Sequence, residues 1–344
     1  MRLRHDRSAG LCRFRGPATL VVLLACALAW TPGPARATIR YSTEEGWSYR
    51  APRRPEGMRG KRTMRRTAAE QYAYGKGFAD RGRYTMAIFQ WRSLLSHTKR
   101  NHYTPGRYQG KAQLGIADAY LAAGNLTRAA DEYNTALVEY SRFFTGREIA
   151  RARENLLAVG DYFYNLQPGR WRDAVGMSHW ERAAEIYTYY IINAPYSAQA
   201  PRVQYLIGEA FFRREDYINA SEEYRRVIDN HPGSEWRDDA QFQLGVAYQK
   251  RTRPAIYDQT LTDSGLEAFR TFVHDYPDDA RVPDAMASIR TMEELKAESL
   301  YIIARWYRRQ RQWEGARLYY RELVDNFPTT QWAAIAEEQL EGLQ

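Results

Sequence analysis

From Ala68 to Leu340 short apolar stripes alternate with polar faces, and the stripes return at a fixed interval. The clearest copy places Ile207-Gly208, Phe211, Tyr217, Ala220, Tyr224 and Pro232 in register. A second reads Ala117, Tyr120, Gly124, Ala129, Tyr133 and Ala136, and an earlier one Gly75, Phe78, Gly82, Tyr84, Ala87 and Trp91. A late copy reads Ala304, Tyr307, Trp313, Ala316, Tyr320 and Pro328. Steps of three and four residues inside each copy are the helical period. The pattern predicts helix pairs over 67–100, 107–141, 146–196, 198–232, 236–277 and 282–328, then an amphipathic closing helix over 331–343. Gln167-Pro168-Gly169-Arg170-Trp171 stretches the third pair. An insertion expected from Arg251 to Gly265 stretches the fifth, and the first helix of the sixth is expected to run from Val282 to Arg311.

Within a copy the residues are small at position 8, aromatic at 11, aromatic or Leu at 17, Ala at 20, aromatic at 24 and Pro at 32. These are the offsets of the tetratricopeptide repeat, whose unit is about 34 residues. Small residues at 8 and 20 let the two helices of a hairpin approach, and the aromatics fill the wedge between hairpins. The Pro ends the second helix, because it has no N–H and clashes with the preceding turn. One hairpin cannot bury its own apolar face, so hairpins stack. The expected fold is all-α, a right-handed α-solenoid of about six hairpins closed by a capping helix. Arrays of this kind bind partners and rarely catalyse, so a non-enzymatic protein is expected.

Composition changes this picture mainly at the N-terminus. Packing between repeats absorbs most of the 26 Tyr, 12 Phe and 9 Trp. Residues 1–37 read as a secretory signal: six Arg against one Asp, an apolar run from Ala18 to Trp30, and the small-x-small site Ala35-Arg36-Ala37. The run is too short to span a bilayer comfortably. Two processing routes fit. Cleavage after Ala37 would free Thr38, whereas Leu23-Leu24-Ala25-Cys26 approximates a lipoprotein box and makes Cys26 a candidate lipidation site. Both routes export the protein. The only cysteines, Cys12 and Cys26, lie in this segment, so the folded part has no thiol chemistry. The net charge of +9 is also N-terminal. Residues 1–37 carry +5 and 38–66 carry +6, leaving 35 basic against 37 acidic residues in the repeats. Nucleic-acid binding therefore loses the support a basic chain suggests. Residues 38–66 read as a flexible basic linker, and 50–66 as a candidate contact for an anionic membrane surface.

No catalytic constellation is present. The six His pair neither at i,i+3 nor at i,i+4, which argues against a metal site, and no cofactor is implied. The sequons at Asn125 and Asn219 fall on packed positions. Two binding candidates remain. The first is a groove on the inward face of the first helices, lined by Tyr72, Leu114, Leu157, Tyr164, Tyr205, Phe212 and Phe242 and flanked by Arg202, Glu209 and Arg213. It suits an extended peptide with alternating aromatic residues. The second is a docking cluster in the sixth repeat, Arg305, Trp306, Arg308, Arg309 and Arg311, beside Trp313. Arg and Trp are enriched at interface hot spots.

Three features resemble the BamD family, the outer-membrane lipoproteins of the β-barrel assembly machinery. One is the recurring end of the second helix: residues 224–234, 269–279 and 320–330 each carry an aromatic start, an apolar pair and a closing Pro. Another is Tyr257-Asp258-Gln259-Thr260-Leu261-Thr262 ahead of Leu266-Glu267-Ala268-Phe269. The last is the helix from Met292 to Tyr307. The resemblance covers roughly 175–344, with the repeats over 67–141 outside it. It implies a periplasmic scaffold at the inner leaflet of the outer membrane. Its partners would be the barrel-forming assembly subunit and unfolded outer-membrane proteins. In that family the C-terminal repeats dock a periplasmic domain of the barrel subunit, and the Arg305–Arg311 cluster lies in the matching region. The alternative is a periplasmic scaffold for cell-wall or division machinery, similar to the CpoB type. The absence of heptads in 38–66, where such proteins often carry a trimerising coiled coil, counts against it.

Overall fold

The computed structural model describes residues 64–100, 102–104, 106–166 and 177–343, together with the backbone of two short strands. The chain divides into two units, 1–64 and 65–344. In the first, β1 (Thr38–Ser42) pairs antiparallel with β2 (Gly46–Arg50), setting Ile39 opposite Tyr49 and Tyr41 opposite Trp47. Aromatic and β-branched residues at alternate positions favour such pairing. These strands fall in the stretch expected as a linker.

The second unit contains α1 (Ala68–Ala79), α2 (Tyr84–Lys99), α3 (Arg107–Ala122), α4 (Leu126–Tyr140), α5 (Gly146–Tyr164), α6 (His179–Asn193) and α7 (Ala200–Arg213). It continues with α8 (Tyr217–Asn230), α9 (Arg237–Arg251), α10 (Thr260–Asp275), α11 (Val282–Arg309), α12 (Trp313–Asn326) and α13 (Gln331–Glu341). Among the described residues these form six hairpins and a final helix, and every helix packs on its neighbour in sequence. This second unit is an all-α tetratricopeptide solenoid, as the periodicity predicts.

Local chemistry sets the helix starts. Thr67, Asn125, Ser178, Asp216 and Thr330 each accept a hydrogen bond from a backbone N–H in the first turn. Thr145 and Glu148 cap α5 reciprocally. The turn inside four hairpins needs one left-handed residue. Gly82 and Gly124 supply it in the first two, with φ of 71° and 73°, and Glu215 and Arg311 in the fourth and sixth, with φ of 61° and 59°. Only Gly adopts this region without steric cost.

The aromatic at position 24 forms the spine of the stack. Tyr133, Tyr187, Tyr224, Phe269 and Tyr320 are fully buried, and Trp91 nearly so. The small residue at position 8 makes room for it. A Cβ on Gly160 or Gly208 would come within 2.7 Å of the Tyr187 or Tyr224 ring, and one on Gly245 within 2.7 Å of Phe269.

The fifth hairpin differs from expectation. Its second helix begins at Thr260, just after a turn in which the Asp258 carboxylate accepts from the Thr260 N–H and hydroxyl. The insertion therefore closes before Gly265. That glycine lies inside α10, where a Cβ would run into the Met292 side chain. It takes the place of Ala220 in the preceding repeat. The first helix of the sixth hairpin spans 28 residues and ends at Arg309, two short of the expected Arg311, which serves the left-handed turn instead.

Candidate functional site

Positions 5, 9 and 12 of each first helix share one face. Position 5 carries Tyr72, Leu114, Leu157, Tyr205, Phe242 and Tyr301, and position 9 carries Lys76, Asp118, Asp161, Glu209, Val246 and Arg305. The three acids are held alike. Asp118 accepts from the Tyr133 hydroxyl at 2.6 Å, Asp161 from Tyr187 at 2.7 Å, and Glu209 from Tyr224 at 2.7 Å. An arginine meets each carboxylate: Arg151 on Asp118 at 2.9 Å, Arg202 on Asp161 at 3.2 Å, and Arg213 beside Glu209 at 4.0 Å. Arg151 and Arg202 come from the first helix of the following hairpin, so each pair ties neighbouring layers. Burial, followed by the adjoining carboxylate, pushes the Tyr133, Tyr187 and Tyr224 hydroxyls far above the usual phenol range. They serve as neutral hydrogen-bond donors to these carboxylates.

The predicted groove residues all lie on first helices, with unequal exposure. Leu114 is only 3% exposed and serves packing, while Tyr72, Leu157, Tyr164, Tyr205, Phe212 and Phe242 are half-buried. Tyr72 stacks on Trp91 and, with Leu114, Asp118 and Arg151, lines a cleft of about 340 Å³. Tyr164, Tyr205 and Tyr224 converge on Glu209. Tyr205 donates to that carboxylate at 3.3 Å, and the Arg213 guanidinium lies 4.8 Å from the Tyr164 ring centre. Tyr205 also packs on Trp236 at 5.2 Å. Phe212 meets Tyr217 edge-on, and Phe242 is enclosed by Phe269 and Phe272. The middle of this face is therefore aromatic with compensated charge.

At the far end the character reverses. Arg305, Trp306, Arg308, Arg309 and Arg311 are all exposed, at the end of α11 and in the turn after it. Trp306 is 52% and Trp313 46% exposed. None of the four arginines forms an ion pair with a described residue, and Arg308 donates to the Gln339 side chain on α13. Tyr301, Arg305, Arg308, Arg309 and Trp313 line a cleft of about 260 Å³.

Two parts of this surface escape a reading by periodicity. The acids at position 9 look like ordinary surface charges. The signal that finds them is the acid fifteen residues ahead of a core tyrosine, as in Asp118 with Tyr133 and Glu209 with Tyr224. The other is Arg281, at the start of α11. It binds Asp238, Asp239 and Asp279 at 3.1, 2.5 and 2.7 Å and lies 5.3 Å from the Phe242 and Phe272 ring centres. Among the described residues no group of His, Cys, Asp and Glu is placed to hold a metal ion. Cys26 and residues 51–63 lie outside the described residues.

A family profile, YfiO, described as outer membrane lipoprotein, matches residues 169–341. The outer membrane protein assembly factor BamD of Caulobacter vibrioides is 24% identical over 158 residues, covering 46% of this chain and 52% of that protein. The chain thus spans about half the length of this relative. Among solved structures, a tetratricopeptide repeat protein from Parabacteroides merdae aligns over 80% of this chain and 98% of its own, at 14% identity and a TM-score of 0.27. A thermophilic tetratricopeptide protein of Thermus thermophilus aligns over 65% and 99%, at 12% identity and a TM-score of 0.30.

Proposed function

The chain belongs to the YfiO family of outer membrane lipoproteins, and on that footing we propose that it is a non-enzymatic scaffold of outer-membrane protein assembly. The observation that carries this reading is the family match over α6–α13, which includes the exposed arginine cluster at the end of α11, free of ion pairs among the described residues. That cluster would dock an acidic periplasmic surface of the barrel-forming subunit. The half-buried aromatic row from Tyr164 to Phe242 would hold unfolded barrel segments, whose alternate residues are apolar. Work of this kind is binding alone. The buried tyrosines are fixed donors and the acids are already paired, which suits a rigid receptor better than a catalyst. The protein would act in the periplasm, at the inner leaflet of the outer membrane.

The test is co-purification of the full-length protein from its native envelope. A large outer-membrane β-barrel protein with repeated periplasmic domains should be recovered. Recovery of cell-wall enzymes alone would sink the proposal. Mass spectrometry of the mature N-terminus identifies the anchor: acylated Cys26 means a tethered lipoprotein, and free Thr38 a protein held by its partners.

A further inference from the structure

The turns inside the first, second, fourth and sixth hairpins take three or four residues, whereas the fifth takes residues 252–259. This longer loop is pinned from within. The buried Gln259 side chain donates to the Pro254 and Tyr257 carbonyls at 3.3 and 2.9 Å and accepts from the Thr262 hydroxyl at 2.8 Å. The Tyr257 N–H donates to the Pro254 carbonyl, and Ala255 is buried. These contacts leave Ile256 68% and Tyr257 53% exposed, side by side at the tip. A loop fixed around two solvated apolar side chains forgoes their burial in the free protein. Two exposed cations, Lys250 and Arg253, precede the tip, and neither forms an ion pair with a described residue. Arg251 between them is engaged by the Ser221 hydroxyl. Asp258, the one acid of the loop, is turned back onto Thr260. Turns inside hairpins gather along one edge of a helical stack, and the connections between hairpins along the other. The other edge of repeat 5 carries Asp238, Asp239, Asp278 and Asp279 around the single Arg281. The repeat is therefore polarised across its width, with its apolar tip on the basic side.

We propose that the repeat 5 loop dips into the surface of an anionic phospholipid bilayer, with Ile256 and Tyr257 at the boundary between headgroups and acyl chains and Lys250 and Arg253 against the lipid phosphates. Apolar side chains ringed by cations suit that boundary, where phosphates lie just above hydrocarbon. Tyr is enriched there because its ring is apolar and its hydroxyl polar. A folded partner would need a socket of matching shape, whereas a bilayer accommodates any projecting tip. The acidic far edge would then point away from the lipid, which fixes how repeat 5 is turned towards the membrane. The inference uses neither the arginine cluster of repeat 6 nor the aromatic row, and it does not depend on the scaffold reading.

The chain from Thr38 onward has no cysteine, so one introduced thiol carries an environment-sensitive dye at a single place. Tyr257→Cys puts the dye at the tip. Tyr196→Cys, at a position 98% exposed on the opposite edge, is the reference. On vesicles of phosphatidylglycerol and phosphatidylcholine the dye at 257 should brighten and shift to the blue, while the dye at 196 should stay as in buffer. In co-sedimentation with the same vesicles, Ile256→Ser combined with Tyr257→Ser should weaken binding at least about tenfold, the effect of roughly one buried apolar side chain. Lys250→Glu combined with Arg253→Glu should weaken it by at least about as much. All four residues are exposed, so these variants should melt as the parent does. Equal dye responses at 257 and 196 overturn the proposal, because the basic segment 38–66 would then account for the attachment by itself. So does a Ser variant or a charge-reversed variant that binds vesicles as tightly as the parent. A Ser variant that keeps its vesicle affinity but no longer co-purifies the barrel subunit also overturns it, and marks the tip as a protein contact.

Discussion

Gly208 shows how much one absent Cβ controls. In an open helix, Gly→Ala stabilises by about 1 kcal/mol. Here the added methyl would meet the fully buried Tyr224 ring at 2.7 Å. Overpacking a rigid core costs about 1–3 kcal/mol, so Gly208→Ala should lower the melting temperature. Gly146 at the start of α5 faces open space, and its Ala variant should melt no lower than the parent. Tyr187→Phe tests the carboxylate ladder at the same scale. It removes the donor to Asp161 while leaving Arg202 in place. A loss of roughly 1–2 kcal/mol is expected in thermal or denaturant unfolding, and an unchanged melt would mean that Arg202 alone satisfies Asp161.

Between helices, turn geometry and one arginine govern the outcome. Glu215 holds the left-handed turn that Gly82 and Gly124 hold elsewhere. Glu215→Gly should therefore stabilise the α7–α8 hairpin by up to about 1 kcal/mol, read as a higher melting temperature. Arg281 joins the start of α11 to α9 through two carboxylates, Asp238 and Asp239, and the Phe242 ring, and it also holds its neighbour Asp279 and packs on Phe272 of α10. Lys cannot reproduce that planar fork, so Arg281→Lys should loosen the contact between repeats 5 and 6, seen as faster amide exchange in α11. Hydrogen bonding to Arg281 lowers the Asp279 carboxyl to about 2. A depressed carboxyl contributes stability above its unfolded value near 4, and that contribution fades as pH falls towards 2. The partly solvated pair limits the amount to about 1 kcal/mol. An acid titration of unfolding should show this loss in the parent and lack it in Asp279→Asn. These elements also mark where the sequence was hard to read. Just ahead of α10 the Asp258 carboxylate accepts from the Thr260 N–H and hydroxyl, a local turn that makes no apolar stripe. Glycine at 265 looked like a loop residue because nothing in the chain announces that Met292 lies against it. The β1–β2 pair is too short for its alternation to stand out among clustered arginines.

At the scale of the whole stack, every expected hairpin was legible, because small and aromatic positions recur wherever two layers touch. The binding face was legible only as a row of positions. Which of its charges are already spoken for depends on tyrosines from the second helices, and no single stripe shows that. Nearest-neighbour packing predicts how damage spreads. Removing α13 takes away Trp332, which packs on Tyr301 at 5.0 Å, and the Ala333–Ala336 row. Amide exchange should then accelerate in repeat 6 and stay protected in repeats 1–3, whereas uniform acceleration would mean a single cooperative unit. The long helix α11 has a further, mechanical consequence. Its first half packs through Ala285 and Met292 on the Phe269–Phe272 layer, and its second half through Ala297 and Ala304 on the Tyr320 layer. Its 28 residues make a rod of about 42 Å. Tension applied at the arginine cluster on one end reaches the repeat 5 core without crossing a compliant loop. Under a steady pull repeats 5 and 6 would yield in one rip, and the end of the array that carries the arginine cluster would behave as a stiff handle on a more extensible chain of hairpins.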